Sequence, residues 1–185
     1  MDPVAEAFAA VPRAGFLPPG ERRNAGYDGP LPIGHGQTNS QPRTVEAMLR
    51  LLDVKPGHRV LDVGSGSGWT TALLAHLVGP TGRVLGVELE PDLVDLGTAH
   101  LDELDLPWAS IHEARPGVLG LPDAAPYHRI LVSAMARELP DELVSQLLSG
   151  GVLVIPVDGT MLRVARSMRD VSITRHGSYR FVPLR

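Results

Sequence analysis

Three glycines at alternate positions, Gly64, Gly66 and Gly68, follow the apolar run Val60-Leu61-Asp62-Val63 and precede Trp69, Thr70, Thr71, Ala72, Leu73 and Leu74. The pattern reads as strand, tight turn, helix. Glycine lets a backbone take positive φ and approach a ligand closely, and the unpaired N–H groups of the following helix point into the same space. A glycine-rich turn without a ligand would share this pattern. Glu88 favours the ligand. It closes a second apolar run, Val84 to Val87, roughly twenty residues past the loop, where a carboxylate can accept hydrogen bonds from both hydroxyls of a ribose.

The glycine spacing narrows the occupant. A dinucleotide fingerprint, G-x-G-x-x-G, would need its third glycine where Trp69 stands, and a Walker loop needs a lysine that this stretch lacks. A hydrolase elbow fails because Gly66 holds the serine position. S-adenosylmethionine, a nucleoside without phosphates, is the occupant that remains. Asp62, Gly64, Ser65, Gly66, Gly68, Glu88 and Leu89 are the expected cofactor contacts, with Asp62 facing the cationic amino-acid end.

Composition removes other chemistries. With no cysteine there are no disulfides, thiolate nucleophiles or zinc-thiolate sites, and the seven histidines form no H-x-x-x-H pair, so no metal site is expected. A net charge of −4 and few aromatic residues argue against a nucleic-acid surface. No run of about eighteen apolar residues suggests a membrane span, and no charged-then-apolar amino terminus suggests a signal, so the cytoplasm is the expected location. Nothing in the sequence defines an oligomeric state.

The elements that must hold the loop follow from periodicity across 185 residues, taken as one domain. Residues 2–10 show helical spacing, ended by Pro12. Residues 12–42 crowd prolines and glycines without a sustained period, as expected of a functional lid, with Phe16, Leu17, Tyr27, Leu31 and Ile33 as anchors. Thereafter helix and strand patterns alternate: helix from Pro42, strand at 60–63, helix through Val78, strand at 83–89, helix from Pro91, strand at 108–112 and strand at 129–133. A helix is expected at 140–148, capped by Gly150-Gly151, then a strand at 152–157. The tail, 161–168 and 171–181, alternates as antiparallel strands do. The expected fold is α/β, a doubly wound Rossmann-like sheet with an antiparallel C-terminal edge and helices over both faces. Ligand should sit beyond the strand carboxyl ends, under the lid.

The lid carries a further signature: Val11-Pro12-Arg13 with Phe16 and Pro18, Pro30-Leu31-Pro32-Ile33-Gly34, Gly36-Gln37-Thr38 and Ser40-Gln41-Pro42. With Ala125-Pro126-Tyr127, Ile155-Pro156-Val157 and Phe181-Val182-Pro183-Leu184, this closely resembles the protein-L-isoaspartate O-methyltransferases along most of the chain. The resemblance implies methyl transfer from S-adenosylmethionine to the carboxylate of an L-isoaspartyl residue in damaged proteins or peptides, leaving S-adenosylhomocysteine. It implies Ser40 as the active-site serine, whose alternative role is to cap the helix at Pro42. Thr38 is expected to touch cofactor and substrate. Ile33, Gln37, Val182 and Pro183 are expected to border the substrate.

Three positions depart from the family pattern. Pro116 and Gly117 fall among the expected adenine contacts where the family has Gly-Asp-Gly, so adenine recognition would pass to backbone, Glu113 or apolar packing. Asn39 replaces an aliphatic residue, and His128 replaces an aspartate. Two other readings share these residues: a carboxyl methyltransferase with a specialised peptide or small-molecule acceptor, and a non-catalytic module that binds the cofactor.

Overall fold

The computed structural model describes residues 2–185. Helix α1 (Pro3–Ala10) opens the chain; the Asp2 side chain accepts the Val4 N–H at 3.1 Å, satisfying one of the first-turn donors a helix leaves unpaired. Two 3₁₀ turns, Arg13–Phe16 and Arg22–Asn24, lead to a hairpin of β1 (Leu31–Gly34) and β2 (Gln37–Asn39). The lid therefore contains regular structure that no period announced, because each piece is shorter than one hydrophobic repeat.

Helix α2 (Pro42–Leu52) buries Val45, Met48, Leu49 and Leu52, and Asp53 in the left-handed conformation ends it. Then come β3 (Arg59–Val63), α3 (Trp69–Val78), β4 (Arg83–Glu88), α4 (Pro91–Glu103), β5 (Ala109–Glu113) and β6 (Tyr127–Val132). Helix α5 (Asp141–Ser145), β7 (Leu147–Val157), β8 (Thr160–Arg166) and β9 (Val171–Ser178) complete the chain.

The main sheet runs β5-β4-β3-β6-β7-β8-β9, parallel from β5 to β7 and antiparallel through β8 and β9. This is the expected doubly wound sheet with its antiparallel edge. Successive strand residues point to opposite faces, so Val60, Val84, Leu131 and Val154 pack beneath α1, α2 and α3, while Leu61, Leu85, Ile130 and Leu153 face the other side. That second face is more thinly covered than expected. No α-helix joins β5 to β6, only a 3₁₀ turn at Pro122–Ala124, and α5 has five residues.

The helix expected over 140–148 stops at Ser145. Gln146 forms its cap instead of Gly150-Gly151, because Leu147 is already paired beside Tyr127 in the sheet. Gly150, at φ +87°, lies within the early part of β7 and allows an irregularity in its pairing with β6.

At the end of the sheet away from the strand carboxyl termini, the rings of His58 and His128 stack at 4.8 Å and 5°. Nδ1 of His58 accepts the Lys55 N–H at 3.1 Å, and Nδ1 of His128 accepts the Arg59 N–H at 3.0 Å. Both rings thus act as acceptors. Burial above all, then the positive charge of Arg129, pulls the His58 pKa down to about 4. The fold favours neutral His58, so its contribution is complete above the unfolded value near 6.5 and is lost as pH falls through 4. Thermal melts are expected to fall between pH 6.5 and 4 more steeply for the wild type than for His58→Asn, whose amide oxygen can accept the same N–H; equal slopes would disprove this role.

Candidate functional site

A cavity of about 910 Å³ opens at the carboxyl ends of β3, β4 and β6 and lies under the β1-β2 hairpin. This is the crevice where strand order reverses, β4 departing to one side of β3 and β6 lying on the other. Of the expected residues, Ile33, Gln37, Thr38, Ser40, Gly64, Ser65, Gly66, Glu88, Leu89, Pro116, Gly117, Val182 and Pro183 line it. The chain thus brings together hairpin, glycine loop, both strand ends and tail.

Two expected contacts are corrected. Gly68 does not reach the cavity: at φ +89° it caps α3, and a side chain there would meet the Gly97 backbone and Ile111 Cδ1 at 3.2 Å. Its missing side chain lets the glycine loop pack against α4. Asp62 does not reach the cavity either. Strand alternation turns it under α3, fully buried, where Oδ2 accepts the Thr71 hydroxyl at 2.7 Å and Oδ1 has no partner.

Glu88 takes the opposite posture. Its Oε2 accepts the Gly66 N–H at 2.8 Å, and its Oε1 accepts the N–H groups of Leu89 at 2.7 Å and Glu90 at 3.1 Å. Three backbone donors hold the carboxylate at the cavity wall. Asp62 has one hydrogen-bond donor and no solvent. Burial pushes its pKa up to about 7; the Thr71 hydrogen bond opposes this and the Glu88 charge adds to it.

The glycine loop fits a nucleoside that must come close to backbone. Gly64 and Gly66 have φ of +78° and +53°, and a Cβ on Gly66 would stand 3.1 Å from Ile33 Cδ1 on the hairpin. The Ser65 hydroxyl is buried at the same loop without a partner, the kind of orphaned group that a bound ligand satisfies. Glu88 and Leu89 supply the wall where a ribose would lie. S-adenosylmethionine therefore suits the residues present.

The acceptor side comes from the hairpin and the tail. Ser40 follows β2, half-buried, and does not cap α2: Gln41 is the N-cap, and its side chain accepts the Thr44 hydroxyl at 3.0 Å. Val182 and Leu184 flank Met135, whose N–H donates to Val182 O at 2.7 Å and whose carbonyl accepts the Leu184 N–H at 2.8 Å. This pairing extends the sheet along the cavity rim. Among the described lining residues there is no histidine.

The departures also find places. His128 belongs to the remote stack and Glu113 is absent from the lining, so neither takes part here. Ala114 and Arg115 join Pro116 and Gly117 on the cavity wall, and Arg115 pairs with Asp123 at 2.9 Å. Residues missed by sequence reasoning include Val118 to Gly120, the 136–142 segment and Arg185. Following the crevice rule along the chain after β6 would have found the 136–142 segment; nothing local marks Arg185, which pairs with Glu90 at 2.8 Å.

The family model and sequence relatives agree on one family. The model for protein-L-isoaspartate(D-aspartate) O-methyltransferase matches residues 1–185. The protein-L-isoaspartate O-methyltransferase of Aeropyrum pernix is 45% identical, over 98% of this chain and 72% of its own. That of Methanopyrus kandleri is 44% identical, over 98% and 82%. Among solved structures, a Plasmodium falciparum protein assigned to the same enzymes, in complex with S-adenosyl-L-homocysteine, superposes with a TM-score of 0.87 at 27% identity, covering 100% of this chain and 91% of that one. Another protein-L-isoaspartate O-methyltransferase shares the fold at a TM-score of 0.89 and 24% identity, with this chain spanning 61% of its length.

Two outcomes are expected. Gly66→Val should abolish cofactor binding in calorimetry while circular dichroism stays native, because the branched side chain fills the space beside Ile33. Asp62 keeps its proton in the fold to about pH 7, so its contribution to stability is complete below its ordinary value near 4 and is lost as pH rises through 7. Melts of the cofactor-free protein between pH 5.5 and 8 should therefore decline less for Asp62→Asn than for the wild type.

Proposed function

The chain belongs to the protein-L-isoaspartate(D-aspartate) O-methyltransferase family, and from that premise we infer that it methylates the free carboxylate of L-isoaspartyl residues in proteins and peptides, using S-adenosylmethionine. The observation that carries this reading is that the Ser40 hairpin and the Gly64–Gly66 loop wall the same cavity. The match over the whole chain favours this acceptor over a specialised small molecule or a module that only binds.

The cofactor, when bound, supplies a methyl group activated by a sulfonium. Gly64, Ser65, Gly66, Glu88 and Leu89 are assigned to hold it, with Ala114 to Gly117 against the adenine. Pro116 brings no acceptor side chain, so backbone and packing must serve there. Asp62 acts from behind the loop as a buried group and not as a contact.

The acceptor needs no base. A carboxylate with an ordinary pKa near 4 is ionised at pH 7, which agrees with a cavity wall that carries no histidine among the described residues. What remains is alignment of the attacking oxygen and exclusion of water. Ser40 is assigned to donate its hydroxyl hydrogen to the acceptor carboxylate. Ile33 and Thr38 cover the reacting region, and Val182 and Pro183 border the peptide.

Incubation with methyl-labelled cofactor and two peptides differing only in aspartyl or isoaspartyl linkage tests the reading. Base-labile label is expected on the isoaspartyl peptide alone; label on neither rejects it. Ser40→Ala should keep cofactor affinity within about twofold and lower kcat by about 10- to 100-fold, the equivalent of one lost hydrogen bond to a charged group. Unchanged turnover would remove Ser40 from the mechanism.

A further inference from the structure

Asn39 is 5% exposed, immediately precedes Ser40, and has both ends of its amide engaged. Its Oδ1 accepts from Arg13 Nε at 2.7 Å, and its Nδ2 donates to the Ser67 hydroxyl of the glycine loop at 3.5 Å. Arg13, itself 6% exposed, donates from Nη2 to the carbonyls of Asn39 and Ser40, each at 3.0 Å. One side chain therefore touches the cofactor half of the cavity and, through Arg13, the backbone that sets the acceptor serine.

We propose that Asn39 is a positioning residue that couples the glycine loop to Ser40, so that cofactor and isoaspartyl peptide strengthen each other's binding. The inference rests on the function given above. In this chain an amide takes the place of the family's aliphatic residue and makes both contacts. It accepts from Arg13 and donates to Ser67 at once, whereas an aliphatic residue does neither and a carboxylate has no hydrogen to donate. Ser67 is 2% exposed and lines the cavity, and its carbonyl oxygen lies 2.8 Å from Nδ1 of His100 on α4, so the loop end of the link is anchored to that helix. The lid end is equally fixed. The Arg13 guanidinium lies 5.6 Å over the Trp69 ring, and the Trp69 indole N–H donates to Val11 O at 3.1 Å. A shift of Ser67 on cofactor binding would therefore have a polar route to Ser40, through the Asn39 amide and the two carbonyls held by Arg13.

The test measures peptide affinity with and without S-adenosylhomocysteine, using a synthetic isoaspartyl peptide and the full chain. In the wild type, saturating S-adenosylhomocysteine should lower the peptide Kd by about fivefold or more, within the usual range of coupling between two sites. Asn39→Leu and Ser67→Ala should each reduce that ratio to below about twofold, and the double variant should lose no more than either alone. Ser67→Thr, which keeps a hydroxyl, should retain the wild-type ratio. Loss of packing alone would raise the peptide Kd equally with and without S-adenosylhomocysteine and leave the ratio intact. Should Asn39→Leu fail to fold, Ser67→Ala carries the same comparison. A wild type that methylates the peptide but binds it equally in both conditions overturns the coupling and leaves the function standing, as does a Ser67→Ala protein with an undiminished ratio. A wild type that methylates no isoaspartyl peptide overturns both.

Discussion

The lid depends on one buried cation. Arg13 has no carboxylate within ion-pair distance among the described residues; its guanidinium donates instead to carbonyls of Tyr27 and Gly29 at 2.8 Å, to those of Asn39 and Ser40, and to the Asn39 amide. Carbonyl dipoles and the Trp69 ring face take the place of an anion. Such an arrangement is demanding, because each donor left unpaired in a buried site costs about 1 to 3 kcal/mol. It therefore selects a single course for residues 25–40, a stretch with too few apolar side chains to choose one by burial. Leu17, Leu31 and Ile33 with Leu93 form only a small cluster of their own.

The same logic, with signs reversed, operates at the cofactor loop. Two carboxylates on neighbouring strands have received opposite environments. Glu88 collects three backbone N–H groups at the cavity wall; Asp62 lies in the interior with a single hydroxyl. The first is held by backbone donors where a nucleoside can be received, and the second is biased toward its neutral form where charge would be costly. Glycines beside them divide in a similar way. Gly64 and Gly66 line the cavity, whereas Gly68 lets α4 approach the loop.

Methyl transfer to a carboxylate asks little of acid-base chemistry and much of placement. A carboxylate oxygen, a methyl group and a leaving sulfur must be in line, and a polar hairpin turn would by itself hold none of them. The structure meets this by tying the hairpin, the loop and the tail to the sheet's carboxyl edge through backbone pairs and buried polar links. Apolar packing stabilises the sheet. Polar satisfaction orients the site.

Much of this was legible in the sequence. The parallel sheet, the antiparallel edge, the loop and part of the cavity lining follow from periodicity, glycine spacing and the lid signature, since these are local patterns that the backbone must obey wherever they occur. What only the tertiary structure decided is where a side chain's partner comes from. Asp62 and Gly68 stand in the loop's own motif yet serve the interior, because strand alternation and the approach of α4 turn them away from the ligand. The glycines at 150 and 151 looked like a helix stop until pairing with β6 drew Leu147 into the sheet. Arg13 and Asn39 are 26 residues apart, and no local pattern pairs them. Their contact exists because folding buries both, and a buried donor must find an acceptor however far along the chain it lies.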